Sequence, residues 1–313
     1  MQTMKAVRGH TRGGPEVLRY EQAPVPAVGA GELLVEVHAA AVTPGELAWD
    51  ATWETARGQA RTPMIPSHEF SGVVAEAGPG VDDLAHGDQV YGLIDFHHDG
   101  AAAEYVSLPR EVVVRRPTTL SHVESAALPL AALTAWQALS DHARVQSGER
   151  VFIQGGAGGV GSLAVQLAKA FGANVTATAS ADDEPFVRSL GADGVVPSVA
   201  DALSADSPPF DVLLNTFGGP VPVESYGLVR PGGRLVTLTQ PPDESMVRAR
   251  GIQGFFFVVK PDPEQLQRIA GLADKGELRP VIARTFPLAE ASLAYGPPPV
   301  PHRPGKTVLV VRT

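Results

Sequence analysis

Residues Val151 to Gly172 read strand, glycine turn, helix, in that order, and no other segment of the chain restricts its fold so tightly. Val151, Phe152 and Ile153 form an apolar strand. Gly156, Gly158 and Gly161 then supply a G-x-G-x-x-G spacing, and Leu163, Val165, Leu167, Ala168 and Phe171 follow at helical intervals. In such a turn the first glycine permits the bend, the second lets the backbone approach a pyrophosphate, and the third lets helix and strand pack closely. The helix opening at Val160 and Gly161 presents unpaired N–H groups and the positive end of its dipole, which suit phosphate. The segment therefore predicts a dinucleotide-binding βαβ unit.

Elsewhere the chain divides by pattern. From Lys5 to about Leu120, short alternating runs such as Leu33–Ala39 and Gly72–Ala77 sit between glycines and prolines, which is the pattern of an all-β region. Helical spacing begins near Ser121 with Val123, Ala126, Ala127, Leu130, Leu133, Trp136 and Leu139. Strands and helices then alternate through Val175–Ala179, Pro185–Leu190, Val195–Val196, Val212–Asn215 and Leu235–Leu238, as in a parallel sheet covered on both faces. A helix over Glu264–Lys275 is followed by strand patterns at Val281–Phe286 and Thr307–Val311, which are expected to rejoin the first region. The expected division is a β domain of residues 1–120 and 281–313 around a Rossmann domain of residues 121–280. The proline-rich run Gly296–Pro304 reads as a stiff surface loop.

Composition narrows the chemistry. A formal charge of −9 argues against nucleic acid and anionic membranes as partners. No apolar run approaches membrane-spanning length and the first residues have no signal-peptide core, so a cytoplasmic location is expected. With no cysteine, thiolate nucleophiles and cysteine-ligated zinc are excluded.

Several further segments carry a family likeness: Ala39-Ala-Ala-Val-Thr-Pro44, Pro63-Met-Ile-Pro-Ser-His-Glu-Phe-Ser-Gly-Val-Val74, Gly87-Asp-Gln-Val-Tyr-Gly92, Ala101-Ala-Ala-Glu-Tyr-Val106, Ala126 to Trp136, Leu190-Gly-Ala-Asp193 and Gly305-Lys-Thr-Val-Leu309. With the glycine turn, they make the chain resemble, nearly end to end, the zinc-free quinone oxidoreductase branch of the medium-chain dehydrogenase/reductase family. The resemblance implies an α/β protein: a chaperonin-10-like β-barrel domain, a Rossmann doubly wound parallel sheet, an active site in the cleft between them, and a homodimer. It implies that Thr43 and Thr134 lie near the nicotinamide, that Ala157, Gly158, Gly159 and Val160 wrap the pyrophosphate, and that Asn215 and Phe217 border the cofactor.

Zinc-dependent relatives place a cysteine near Thr43, a His-Glu pair like His68-Glu69 and a further ligand near Leu130. This chain keeps only the pair, and a catalytic zinc needs three good protein ligands. No metal is expected, and His68 and Glu69 read as a hydrogen-bonded pair. For the coenzyme, the strand Val175–Ala179 runs into Ser180 with no carboxylate before Asp182. That favours NADPH, with Ser180 as a phosphate donor and Arg188 or Arg303 as cationic partners, although Asp182, Asp183 and Glu184 would repel a 2′-phosphate. Arg188 reads equally as an exposed helix arginine.

Without a Lewis acid, conjugated acceptors are easier substrates than alcohols, because charge developing on oxygen needs only hydrogen-bond donors. The expectation is an NADPH-dependent reductase of quinones or α,β-unsaturated carbonyls. The alternatives are an enoyl reductase of a polyketide-like pathway and a low-turnover NADPH-binding protein. Thr43, His68 and Tyr91 are the catalytic candidates, with Ser67 and Glu46 as further sources of a proton. Trp49 and Trp53 read either as packing beneath a loop or as an aromatic wall for a flat substrate, together with Phe96, Phe255, Phe256 and Phe257.

Overall fold

The computed structural model describes residues 2–204, 208–297 and 303–312, and the chain forms two compact units. One comprises Met1–Leu130, Lys260–Gly276 and Pro280–Thr313; the other comprises Ala131–Val259 with Glu277–Arg279. The first unit therefore reclaims more of the chain than the patterning suggests: residues 121–130 and the helix Pro263–Asp274 belong to it rather than to the Rossmann unit. The helix is tied there by Tyr91, whose hydroxyl donates to the Leu266 carbonyl at 2.6 Å, and by Asp274, which accepts from the Thr119 backbone at 3.0 Å. Of the proline-rich run, residues 298–302 lie outside the described residues.

Along the first unit run β1 (Thr3–Gly9), β2 (Leu18–Pro24), β3 (Glu32–Val42), β4 (Glu69–Ala77), β5 (Gln89–Leu93), β6 (Tyr105–Pro109) and β7 (Val113–Arg115). The second unit holds β8 (Arg150–Gln154), β9 (Asn174–Thr178), β10 (Gly194–Val196), β11 (Phe210–Asn215), β12 (Val229–Thr237) and β13 (Gln253–Phe256). The chain then returns to the first unit with β14 (Ile282–Pro287) and β15 (Lys306–Val310).

In the first unit β1 and β2 form a hairpin-like antiparallel pair, and a larger sheet has the order β14-β15-β3-β4-β5-β7, with β6 pairing to β3. Its strands alternate: Leu33, Val35 and Val37, two apart on β3, are buried with Phe70, Val74, Val90, Leu108 and Val113. A second apolar cluster gathers Met4, Val7, Leu47, Trp53, Met64, Leu288 and Tyr295. The return of the C-terminal strand matters for the site, because β15 pairs with β3 in the register Thr307 to Val42. That register brings Lys306, at the start of β15, beside the end of β3.

In the second unit all six strands are parallel, in the order β10-β9-β8-β11-β12-β13. Counted from β8, the order is 3-2-1-4-5-6, the doubly wound arrangement, and its switch point lies between β8 and β11. The central strands β8 and β11 are buried on both faces and so read as continuous apolar runs, as Val212, Leu213 and Leu214 do. The helix Gly159–Ala170 leaves the C-terminal end of β8 and is buried continuously from Gly161 to Ala168.

Candidate functional site

Two groups of residues carry chemistry, one in each unit. In the first unit, Thr43 follows β3 and His68 and Glu69 stand at the entry to β4. Successive side chains on a strand point to opposite faces, so neighbours such as these cannot bond each other, and the expected His68–Glu69 pair does not form. Each finds a different partner.

His68 Nδ1 lies 2.6 Å from Glu46 Oε2, and His68 Nε2 lies 3.2 Å from the carbonyl oxygen of His98. A carbonyl only accepts, so Nε2 carries a proton, and a further proton lies on the line between Nδ1 and the Glu46 carboxyl. Glu46 also receives the Ser67 backbone N–H at 3.2 Å and the Tyr295 hydroxyl. Because Tyr295 donates to Glu46, the Ser67 hydroxyl, 2.9 Å from the phenol oxygen, donates to Tyr295. Ser67 adopts a left-handed conformation at φ 69°. Burial, with the adjacent Glu46 carboxyl, pushes the Tyr295 phenol well above its ordinary range. All four residues are buried, and both His68 nitrogens are committed within the network. Breaking such a buried pair by removing one partner typically costs about 3–5 kcal/mol.

Glu69 is held on the other face. One carboxylate oxygen pairs with the Lys306 ammonium, and the other accepts the Leu130 backbone N–H at 2.9 Å. Lys306 in turn donates to Thr43 Oγ1 at 3.1 Å. Glu69 is buried, whereas Lys306 and Thr43 are each partly exposed. No group of three or more histidine, aspartate or glutamate side chains able to hold a metal occurs among the described residues. With Glu46 and Lys306 as the partners of His68 and Glu69 and Thr43 contributing only a hydroxyl, the donor set does not fit a catalytic zinc.

Tyr91 is placed differently from what its candidacy requires. It is fully buried, its hydroxyl donates to Leu266, and burial raises its phenol far above the usual range. The geometry makes it a strut for the returning helix and gives it no path to a reacting group. Trp53 is also core: it is 3% exposed and its indole N–H donates to the Leu47 carbonyl at 2.8 Å. Trp49 is half-exposed and meets Phe96 edge-on at 5.0 Å, with His68 5.4 Å from the same ring. Of the two tryptophans, the packing reading fits Trp53, and the aromatic-wall reading stays available to Trp49 with Phe96.

In the second unit the glycine turn stands at the end of β8, and its three glycines separate by what surrounds them. A Cβ at Gly161 would lie 1.9 Å from the Gly155 carbonyl oxygen, and one at Gly156 would lie 2.8 Å from the Ala177 Cβ, so the fold itself requires both. At Gly158 a Cβ would meet only the Gly155 oxygen, at 3.4 Å. Apart from that contact the position is open. Gly158 is also the N-cap of the twelve-residue helix Gly159–Ala170 and supplies no side-chain cap, so the leading N–H groups are left for an anion. The turn is clamped to β9 by Thr178, whose hydroxyl accepts from Gly155 N at 2.8 Å and whose carbonyl accepts from Gly156 N at 2.9 Å. The buried Gln154 Oε1 at the strand end has no hydrogen-bond partner among the described residues. These features fit a bound dinucleotide.

Across the switch point, β11 ends at Asn215, which is buried and accepts the Phe217 N–H at 3.3 Å; Phe217 itself is half exposed to solvent. Thr134 is buried in the helix Pro129–Trp136. Phe255 and Phe257 flank His142, with the Phe257 ring stacked on it at 4.3 Å, and Phe256 faces solvent. After β9 the turn folds back so that the Ser180 hydroxyl donates to Asp183 Oδ2 at 2.9 Å while accepting the Asp183 N–H at 3.2 Å. Arg188 pairs with Glu184 one helical turn away. Ser180 is therefore engaged by a carboxylate, and the neighbouring cation is already paired.

Sequence reasoning missed Thr178, Tyr295 and the role of Lys306. Thr178 was signalled by its place at the end of the second strand; Tyr295, 249 residues from Glu46, left no local signal at all.

Residues 29–118 match the alcohol dehydrogenase GroES-like domain, and residues 190–309 match a family described as zinc-binding dehydrogenase. The chain is 33% identical to the human mitochondrial NAD(P)H oxidoreductase RTN4IP1, over 96% of this chain and 87% of that protein. It is 34% identical to a 2-methylene-furan-3-one reductase of Solanum lycopersicum, over 89% of this chain and 71% of the other. Among solved structures, the quinone oxidoreductase of Coxiella burnetii superposes with a TM-score of 0.89 at 31% identity, covering 99% of this chain and all of that one. No helix among the described residues is long and apolar enough to cross a membrane.

Proposed function

From the membership of this chain in the medium-chain dehydrogenase/reductase family, in its quinone oxidoreductase branch, we propose that it reduces quinones or α,β-unsaturated carbonyl compounds at the expense of a reduced nicotinamide coenzyme. Oxidoreductase activity and a nicotinamide dinucleotide go with the family. The acceptor class is the finer reading, and one observation carries it: the ionisable groups near Thr43 are paired with one another, and the half-exposed Thr43 hydroxyl is left with a proton to donate.

A hydroxyl stabilises negative charge on an acceptor oxygen but does not replace a metal in drawing a proton from an alcohol. The coenzyme supplies a hydride when bound. The residues then do three things. Gly156 to Gly161 and the uncapped helix end hold the pyrophosphate, Thr43 donates to the acceptor oxygen, and Trp49 with Phe96 offers a flat apolar surface to a conjugated ring. The product needs one solvent proton, at the α-carbon of an enone or at the oxygen of a quinone, and no side chain has to deliver it.

Between the two nicotinamides, the Ser180–Asp183 pair supports NADH being accepted at least as well as NADPH. The strand end through Ala179 is neutral, as an NADPH site would have it, yet the turn carries Asp183 back onto the hydroxyl expected to donate to a 2′-phosphate. Like charge placed there weakens phosphate binding without affecting a free ribose hydroxyl. The test is a panel of quinones, enones, acyl thioesters and simple alcohols assayed with both coenzymes. Turnover with quinones or enones supports the reading. Tight coenzyme binding with no acceptor reduced would instead make this a binding protein, and preferential alcohol oxidation would refute the acceptor class.

A further inference from the structure

We propose that Lys306 is a positioning residue that makes Thr43 a one-directional hydrogen-bond donor to a negatively charged oxygen, with Glu69 anchoring the lysine. The inference rests on the acceptor class above, and it assigns a working role to a side chain that sits in a C-terminal strand more than 260 residues from Thr43.

An ammonium group has three donors and no acceptor, so in the 3.1 Å contact between Lys306 Nζ and Thr43 Oγ1 the hydroxyl oxygen must accept. The hydroxyl has one proton, and no second partner for it occurs among the described residues. That proton is therefore turned away from Lys306, and Thr43 is half-exposed. A hydroxyl that accepts from a cation is also polarised into a stronger donor. Glu69 fixes the lysine: it is 1% exposed, its carboxylate pairs with Nζ, and its second oxygen is held by the Leu130 N–H at 2.9 Å. The pairing of β15 with β3 keeps the two backbones in register, so the lysine reaches Thr43 from a rigid element.

The reaction supplies the charge that this arrangement would meet. Hydride from a reduced nicotinamide brings its electron pair to the β-carbon of an enone and forms a C–H bond there. The C=C pair shifts toward the carbonyl, the carbonyl pair moves onto oxygen, and the coenzyme is left oxidised. Thr43 donates to that oxygen until a solvent proton adds at the α-carbon. An oxygen that stays neutral gains less from the same donor, which is the differential stabilisation that accelerates a step.

The test uses a stable oxyanion and needs no turnover. 4-Nitrophenol is titrated onto the whole protein and its phenolate is followed by absorbance, in wild type, Thr43→Val, Lys306→Met and the double variant. Lys306→Met strands a buried carboxylate, so Glu69→Gln with Lys306→Met serves as the folding-neutral form, with melting checked for each. We expect phenolate affinity to fall about tenfold in each single variant, the worth of one hydrogen bond to a charged acceptor, and the double variant to lose no more than about threefold further. Lys306→Arg should recover most of the loss. Absence of phenolate binding by the wild type, multiplicative losses in the double variant, or a Lys306→Met protein that keeps full Thr43-dependent affinity would each overturn the proposal. Failure of the wild type to reduce any acceptor would count against the reductase reading and leave this result standing by itself.

Discussion

Alanine at Gly158 and alanine at Gly161 add the same methyl group three residues apart and should fail in opposite ways. At Gly161 the methyl carbon would lie 1.9 Å from the Gly155 carbonyl oxygen and 2.7 Å from its carbonyl carbon, and neither backbone atom can swing aside. The helix must move off β8. Overpacking of this kind costs about 3 kcal/mol, the upper part of the usual range, which is about 6–12 °C in melting temperature for a domain of this size. At Gly158 the nearest atom is 3.4 Å away and the backbone, at φ −73° and ψ 172°, is one alanine adopts freely. The fold should lose under about 1 kcal/mol, chiefly from the poorer N-cap. Coenzyme affinity should fall much further, by about 10- to 100-fold, the equivalent of losing one charge-assisted hydrogen bond to phosphate. Thermal melts of the apo proteins and calorimetric titration with NADH and NADPH give both numbers. A Gly158→Ala protein that binds coenzyme undiminished, or a Gly161→Ala protein that melts like wild type, would refute the division of labour in the turn.

Asp183→Asn should strengthen NADPH binding by about 5- to 30-fold, since an exposed charge pair near contact distance is worth about 1–2 kcal/mol, and should leave NADH unchanged; titration of both coenzymes checks it. His68→Gln should keep its turnover number within about tenfold of wild type, far short of the 10²–10⁴ expected for a general acid, while urea unfolding shows about 3 kcal/mol less stability. Burial, reinforced by His38 and Arg116, pushes the His122 imidazole down from 6.5 to about 4. The unfolded chain therefore takes up a proton that the folded chain refuses, and stability falls as pH drops from about 6.5 toward 4. Discounted for partial exposure, the loss is about 1–2 kcal/mol, and His122→Gln should flatten that limb of a urea-stability profile.

The Rossmann unit was legible because its signals are local. The glycine spacing, the apolar strands buried on both faces and the β–α alternation each sit within a few residues, and together they lead to the 3-2-1-4-5-6 order. The β unit was legible as a class but less so in extent. Nothing around Pro263–Asp274 distinguishes a helix of one unit from a helix of the other; the attachment is made by Tyr91 and Thr119, far away in sequence. The polar cluster shows the same divide. Strand alternation alone separates His68 from Glu69, a signal present in the sequence, whereas their true partners Glu46, Tyr295 and Lys306 are joined only by tertiary structure. The sequence shows Ser180 as a neutral residue after the second strand, but the turn that returns Asp183 to it is a property of the folded backbone.

The central claim is hydride delivery to a carbon–carbon double bond, with the charge taken up at oxygen. It is tested most directly by one labelled turnover: the protein, coenzyme deuterated at C4, and a simple cyclic enone, with the product examined by NMR. The account predicts a saturated ketone with deuterium at the β-carbon, the α-position being filled from solvent. Deuterium at the carbonyl carbon of an allylic alcohol would contradict it, as would recovery of the enone untouched beside turnover of a simple alcohol.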